Sequence, residues 1–296
     1  MRTLLSLIKR NFKLYFKDKG MFFVSLITPA ILLVLYTTFL GNVFRQSFKS
    51  SLPPGVDIEN SLIEGLVGGQ LLSSVLATCT ITISFCSNLV MIQDKYSGSR
   101  KDLTISPVKR STLALSYFIA SFLATLLVCL ITTGLGLIYI GIVGWYLTFV
   151  DILYTILDVI LLTLFGTALS SIIHFFLTNQ GQASAVGTIV SSLYGFICGA
   201  YMPMSQFPEG LQKVLSFLPG TYGTVLFRNH LMNSVVAEYD FPAEVITGIK
   251  DSMDINFYFF DNKVEIYTMY LIIAGTVLAL IGIYVLMNVL KKKNSK

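Results

Sequence analysis

The chain has 296 residues, of which 54% are hydrophobic and only 12% are charged, against roughly a quarter charged in an ordinary soluble domain. This composition excludes a soluble globular protein and indicates a chain surrounded mainly by lipid. Several stretches approach or exceed the roughly 20 apolar residues needed to cross a bilayer, without the period-2 pattern of an outer-membrane barrel. Since each backbone amide in lipid must be satisfied within its own segment, we expect these spans to be helices.

The first segment, residues 1–19, is predicted to be an interfacial amphipathic helix that precedes a transmembrane domain over residues 20–296. At 100° per residue, its apolar side chains fall on one arc and its basic side chains on the opposite side. The apolar arc comprises Leu4, Leu5, Ile8, Phe12, Tyr15 and Phe16. Such a helix lies in the lipid interface, attracted to anionic headgroups. Leu7 and Leu14 depart from the pattern and are candidates for contact with a partner protein.

Six apolar segments follow, so the predicted fold class is an all-α polytopic membrane protein with six transmembrane helices. The segments lie at about 21–43, 67–93, 111–142, 149–176, 182–203 and 266–290. The third is long enough to tilt or to include an interfacial turn. Between the spans lie a basic loop at 94–110 and an external region at 204–265. The latter is predicted to begin with short re-entrant or interfacial helices and to end in a polar segment.

The orientation follows from the distribution of charge. Most of the chain's 21 Lys and Arg residues flank the first segment, the 94–110 loop and the C-terminus, whereas most of its 16 Asp and Glu residues lie elsewhere. Basic residues collect on the cytoplasmic side of a membrane. The sequence therefore predicts a multi-pass protein of the inner (cytoplasmic) membrane with both termini in the cytoplasm.

No catalytic, cofactor-binding or metal-binding residue is predicted. The sequence has no phosphate-loop, dinucleotide or H-E-x-x-H motif, and no nucleic-acid partner is expected. Four cysteines lie inside apolar stretches and are interpreted as small buried hydrophobic side chains. His174 and His230 lie far apart along the chain and are interpreted as hydrogen-bonded packing residues. The chain is not predicted to be an enzyme.

Two sets of polar residues within the spans have more than one interpretation. Asp158 is the one carboxylate predicted inside a span, and it is either a functional intramembrane acid or a carboxylate near the headgroups. The second span is rich in small hydroxyl residues, among them Thr78 and Thr82, with Asn88 beyond them. Such a helix either lines a wet pathway or returns its hydroxyls to its own backbone carbonyls.

The fifth span carries a small residue every four positions. These residues are Ala183, Gly187, Ser191, Gly195 and Gly199. Spacing of i, i+4 places them on one helix face, where they form a groove that permits close approach of another helix. The sequence therefore predicts a dimer or pathway groove, whose partner helix belongs to the same chain or to a second copy.

The basic loop carries the most informative motif. It reads DKYSGSRKDLTISPVKR from Asp94 to Arg110 and resembles the coupling loop of the ABC-2 type permeases. In that family an acidic-basic cluster leads to a glycine, a leucine and a Ser-Pro-Val-basic segment that enters the third span. The matching residues are Asp94, Lys95, Gly98, Leu103, Pro107, Val108 and Arg110. Tyr96 and Ser99 depart from the family, which often has an acidic residue and a threonine there.

A second stretch resembles the broken re-entrant segment that follows the fifth span in the same family. Its residues are Gly199, Pro203, Phe207, Pro208, Pro219, Tyr222 and Arg228. The basic interfacial helix agrees as well, so the resemblance covers essentially the whole chain.

The resemblance implies an exporter permease of six helices per subunit. It implies a second permease subunit, in a homodimer or heterodimer, and separate ATPase subunits that bind ATP and Mg and grip the loop after the second span. We expect an amphipathic or hydrophobic substrate (drug, antibiotic, peptide or lipid), because a pathway lined by hydroxyls and aromatics would repel ions.

The residues of the loop suit this role on physical grounds. Gly98 permits a turn with positive φ, and Pro107 fits the first turn of a helix. A short helix between them would offer Leu103 and Ile105 to a groove on a partner. The alternative for the loop is a solvated basic segment that touches only lipid headgroups.

Two alternative functions make different demands on the sequence. A stand-alone secondary transporter or channel would need coupling-ion sites and usually internal repeats, whereas the sequence offers one candidate acid and no convincing repeat. An intramembrane enzyme would need a nucleophile with a base, or a set of metal ligands. The lack of a plausible set in the sequence counts against this function.

Overall fold

The structure is a computed structural model that describes residues 2–50, 59–105, 108–238, 241–260 and 262–293. Its helices are α1 (Arg2–Lys17), α2 (Lys19–Leu35), α3 (Gly41–Ser50), α4 (Asn60–Ser87), α5 (Leu89–Tyr96), α6 (Ser99–Ile105), α7 (Arg110–Val143), α8 (Phe149–Phe176), α9 (Gln180–Ile197), α10 (Glu209–Leu215), α11 (Pro219–Ala237), α12 (Ala243–Ser252) and α13 (Ile266–Lys293). A π-helical stretch, Tyr36–Leu40, joins α2 to α3, and a 3-10 turn, Met204–Gln206, precedes α10. Two short antiparallel strands, β1 (Tyr258–Phe259) and β2 (Asn262–Lys263), lie between α12 and α13, with Tyr258 opposite Lys263.

Five helical stretches in the described part of the chain are long and apolar enough to cross a membrane. They are Lys19–Gln46, Asn60–Tyr96, Arg110–Val143, Phe149–Phe176 and Ile266–Leu290. These stretches coincide with five of the six predicted spans, so the prediction of a mostly helical polytopic protein is confirmed. The remaining predicted span corresponds to α9, which has 18 residues and many small polar side chains.

Helix α4 forms the centre of the molecule and is buried along almost its whole length. It begins at Asn60, a full two turns before the predicted start of the second span. Glycines near the start of α4 permit close packing: a Cβ added to Gly69 would lie 2.5 Å from the Leu231 carbonyl oxygen, and one added to Gly65 would lie 3.0 Å from the Tyr146 ring. Tertiary packing therefore outweighs the low helix propensity of glycine here.

Helix α1 packs against α7 rather than resting on lipid alone. Its inward face includes Leu7, Asn11 and Tyr15, and the Tyr15 hydroxyl lies 2.8 Å from Ser25 Oγ. The prediction that Tyr15 faces lipid is therefore wrong, and Leu7 contacts this chain itself. Leu5, from the predicted lipid arc, is exposed. An amphipathic pattern identifies an apolar face but not whether lipid or protein covers it.

The bundle has two ends that differ in their elements. At one end, which we call the α6 end, α5 contacts α1 and the C-terminus of α8, and α6 follows directly after α5. At the opposite end, which we call the α12 end, α3 contacts α12 and α4. Arg45 of α3 and Glu64 of α4 form an ion pair there with an N–O distance of 2.7 Å.

The segment after α9 turns back into the bundle. Gly199 adopts a φ of +73°, which favours glycine, and the chain then enters the 3-10 turn and the short α10. These elements agree with the predicted short re-entrant helices. Helix α11 does not, because it has 19 residues and is buried against α4, α8 and α13. Pro219 occupies the first turn of α11, where proline begins a helix instead of breaking it.

Candidate coupling site and buried polar clusters

The predicted coupling loop forms an elbow of two short helices. Gly98 has a φ of +84° at the turn between α5 and α6, as the loop motif predicts. Helix α6 covers Ser99–Ile105, close to the short helix expected for this segment. Pro107, the other residue on which that expectation rested, lies outside the described residues.

Asp94 lies inside the protein and joins three helices. Its two carboxylate oxygens accept hydrogen bonds of 2.6 and 2.8 Å from the Arg10 guanidinium of α1. The Tyr117 hydroxyl of α7 donates to the same carboxylate at 2.5 Å. The hydrogen bond from Arg10 to Asp94 raises the pKa of the guanidinium above its ordinary value. Asp94 therefore fixes α5 to α1 and α7.

Lys95 also points into the chain, toward the end of α8. Its Nζ donates hydrogen bonds to the carbonyl oxygens of His174 at 2.7 Å, Phe175 at 3.1 Å and Leu177 at 2.7 Å. The last carbonyls of a helix have no partner within the helix and carry its negative dipole end, so an ammonium group satisfies them well. Lys95 thus couples α5 to α8.

The apolar side chains of the elbow divide into two groups. Leu103 and Val108 are partly buried and pack against the main hydrophobic core. Ile105 is 84% exposed, and Tyr96 is also exposed. Arg110 is exposed at the start of α7. Ile105 and Tyr96 therefore offer more apolar surface to a partner than Leu103 does.

A groove of about 450 Å³ lies between α2 and α9. Its walls include Val24, Ile27 and Ile31 of α2 and Gly187, Thr188 and Ser191 of α9. A Cβ added to Gly187 would meet nothing within 4 Å, so this glycine faces open space. The groove is lined mainly by apolar carbons with a few hydroxyl groups.

The small-residue face predicted for the fifth span is shorter than expected. A Cβ at Gly195 would overlap the ring of Tyr201, which folds back against α9 from the same chain. Helix α9 ends at Ile197, and Gly199 lies in the turn beyond it. The open groove therefore includes Gly187 and Ser191 but not Gly195 or Gly199.

Most hydroxyls of α4 are directed to backbone carbonyls. Thr78 Oγ1 donates to the Ser74 oxygen at 3.0 Å, and Thr82 Oγ1 donates to the Thr78 oxygen at 2.9 Å. Asn88 bonds to other helices, accepting from Ser121 Oγ at 3.0 Å. All three predicted pathway residues are buried among helices. The structure favours the packing interpretation for this helix.

Asp158 is fully buried between helices. Its Oδ2 lies 2.6 Å from His230 Nδ1 of α11, and its Oδ1 accepts a hydrogen bond of 2.5 Å from the Tyr270 hydroxyl of α13. The ring of Tyr154 stacks on His230 with centroids 5.0 Å apart. The sequence interpretation of His230 as a packing residue missed this cluster.

A second buried cluster involves Arg228, from the predicted re-entrant segment. Its Nη1 lies 2.9 Å from Asp254 Oδ2, and its Nη2 donates to the Gly199 carbonyl oxygen at 2.5 Å. The same Asp254 oxygen accepts a hydrogen bond of 2.6 Å from the Met204 amide. Arg228 therefore holds the turn after α9 and the turn after α12 against α11.

The other predicted residues of the re-entrant segment set helix boundaries. Pro203 precedes the 3-10 turn, Pro208 precedes α10, and Pro219 begins α11. The Tyr222 hydroxyl donates to the Ser216 carbonyl oxygen at 2.7 Å, which closes the turn between α10 and α11. These residues shape the segment and do not form a single site.

Comparison with known proteins agrees with this architecture. The family described as ABC-2 family transporter protein matches residues 57–290, which is more than half of the chain. The match includes the α5–α6 elbow, the α9 wall of the groove and both buried clusters. No curated protein matches the chain. The chain belongs to the ABC-2 transporter family and is a membrane permease component of that transporter class.

Proposed function

We propose that the chain is the permease subunit of an ATP-binding-cassette exporter and that a separate ATPase subunit, which binds ATP and Mg, docks on the α6 end. The observation that carries the proposal is the α5–α6 elbow within a chain of the ABC-2 family. The elbow presents Ile105 and Tyr96 outward, while Asp94 and Lys95 tie it to three other helices. A rigid attachment of this kind transmits movement.

In this proposal α9 is the fifth of six spans, and both termini lie in the cytoplasm of a cell whose inner membrane holds the protein. The α6 end then faces the cytoplasm and the α12 end faces outward, in line with the concentration of basic residues. Single cysteines at Lys49 and Asp102 in a cysteine-free background check this arrangement. Only the one at position 49 should react with an impermeant thiol reagent in intact cells.

The groove between α2 and α9 is the proposed meeting place of two permease subunits. Gly187 faces open space there, which leaves room for a helix from a second copy or from a similar chain. An amphipathic or hydrophobic substrate (drug, antibiotic, peptide or lipid) suits walls of apolar carbons and scattered hydroxyls. Export is proposed as the direction of transport.

The deciding experiment places a charge on the exposed face of the elbow. Ile105→Asp should insert into the membrane normally but lose most of its capture of the ATPase, because desolvating the carboxylate in an apolar partner groove costs on the order of a few kcal/mol. Val214→Asp is the matched control, since Val214 is an exposed aliphatic residue on a short helix near the opposite end. It should capture the ATPase as the wild type does.

Capture and transport are measured in membranes that hold equal amounts of each protein. Unchanged capture by Ile105→Asp would mean that α6 is not the docking element. Transport that continues in the complete absence of the ATPase would instead favour the stand-alone transporter.

A further inference from the structure

The cluster around Asp158 unites three helices through one carboxylate. Asp158 belongs to α8, His230 to α11 and Tyr270 to α13. Both carboxylate oxygens have a partner, at 2.6 Å for His230 Nδ1 and 2.5 Å for the Tyr270 hydroxyl. The Asp158 carboxylate therefore joins α8 to both α11 and α13.

The charges near Asp158 do not balance without an added proton. In the described part of the chain, the ionisable groups that interact with the Asp158 carboxyl are His230, by a hydrogen bond and by charge, and Tyr270, by a hydrogen bond. On α8 itself, Tyr154 stacks on the His230 ring and Asp151 lies two turns away. A neutral imidazole beside an ionised carboxylate leaves a full negative charge inside the protein, which is costly there. One additional proton makes the pair neutral overall.

Arg228 does not supply the missing charge, although it lies on the same helix as His230. Its guanidinium is committed to Asp254 and to the Gly199 carbonyl oxygen. A proton is therefore the ligand that fits the Asp158 pair.

A second polar contact between α8 and α11 lies closer to the α12 end of the bundle. Asp151, at the start of α8, accepts a hydrogen bond of 2.6 Å from Ser234 Oγ of α11. Ser234 lies one turn beyond His230 on the same helix, and Asp151 is about 10 Å along α8 from Asp158. Tyr154, between them, is partly open to the surroundings. Polar groups therefore lie between the pair and the α12 end of the bundle.

We propose that Asp158 and His230 form a proton-binding site that is loaded from the α12 end and that holds α11 against α8 and α13 when it is occupied. The proton comes from water and binds the imidazole nitrogen or the carboxylate oxygen, and no other bond changes. When the proton leaves, the buried negative charge weakens the contact and α11 loosens. The site requires no ATPase, so its test is independent of the proposed function.

The proton can be observed directly, because the chain contains only two histidines. The protein is labelled with 13C-histidine and with 13C-carboxyl aspartate and placed in lipid nanodiscs. When the pH is lowered over the range in which the protein stays folded, either the His230 NMR resonance or an aspartate carboxyl infrared band should show the binding of one proton. Asp158→Asn should abolish the carboxyl change and alter the His230 response. Asp251→Asn, a carboxyl variant on α12, should leave both signals as in the wild type.

Hydrogen exchange of the α11 amides provides the second readout. After correction for intrinsic exchange, α11 protection should fall as the pH rises in the wild type and should lose this dependence in Asp158→Asn. If that variant does not fold, Tyr270→Phe keeps the Asp158–His230 pair and should retain the pH dependence. The proposal is wrong if neither the His230 signal nor the Asp158 carboxyl signal changes with pH in the folded wild type. It is also wrong if the protection of the α11 amides still depends on pH in folded Asp158→Asn.

Discussion

Replacing Arg228 with methionine tests whether the buried ion pair holds the segment between α9 and α12 in place. Methionine keeps much of the side-chain length and apolar volume but removes the guanidinium. The Arg228 side chain is fully buried, and that of Asp254 is 7% exposed. Water therefore solvates the Asp254 carboxylate only weakly once the guanidinium is removed. The variant also removes the hydrogen bond to the Gly199 carbonyl oxygen.

The expected cost follows from these two contacts. Hydrogen bonds to charged groups contribute about 1.5 to 3 kcal/mol each. Removing one member of a buried ion pair typically costs about 3 to 5 kcal/mol. We therefore expect Arg228→Met to lower the free energy of unfolding by about 3 to 5 kcal/mol, measured by denaturant-induced unfolding in lipid bicelles.

Arg45→Met is the matched control for this change. Arg45 and Glu64 form a similarly short ion pair, but their side chains are 37% and 31% exposed. Solvent screens such a pair, so its loss should cost less than about 1 kcal/mol. Adding Asp254→Asn to Arg228→Met should restore part of the loss, since asparagine tolerates the φ of +50° at this position and carries no charge. Equal losses for Arg228→Met and Arg45→Met would refute the reasoning.

Three further variants separate packing within the chain from contacts with partners. Gly187→Leu should leave the thermal unfolding of the subunit unchanged but reduce cross-linking between two copies, because its Cβ faces open space. Gly195→Leu should instead lower the unfolding temperature, because its side chain would collide with Tyr201. Asp94→Asn should weaken the bond to Arg10 while leaving the exposed face of α6 intact. We expect normal ATPase capture by this variant but less transport per captured ATPase, measured in proteoliposomes.

Features governed by local sequence could be predicted, whereas contacts between distant helices could not. The spans follow from apolar length, and the turn at Gly98 follows from the conformational freedom of glycine. The Asp158–His230 contact joins residues 72 positions apart, and hydropathy contains no information about which helix faces which. The sequence nonetheless contains a pattern that indicates a polar contact for α8. One face of α8 carries Asp151, Tyr154 and Asp158. A polar face inside a span indicates that a helix with polar residues packs against it.

The small-residue face of α9 is a second case in which the sequence pattern did not reveal the packing partner. Spacing of i, i+4 predicted a surface that permits close approach of another helix. It did not reveal that Tyr201, only six residues after Gly195, returns to fill the outer part of that surface. Because Gly199 ends the helix with a positive φ, the chain reverses there and supplies its own packing partner. The portion around Gly187 stays open.

Helix α8 connects the coupling elbow to the buried proton site. Lys95 bonds to three carbonyl oxygens at the C-terminal end of α8, so a displacement of α5 must move that end or break all three bonds. With 28 residues, α8 is a rod about 42 Å long. Asp158 lies on it near the opposite end, where His230 fixes α11 to it. If the elbow moves with a docked ATPase as proposed, that movement is carried along α8 to α11, and in the proposed proton site the proton on the Asp158–His230 pair determines whether α11 follows.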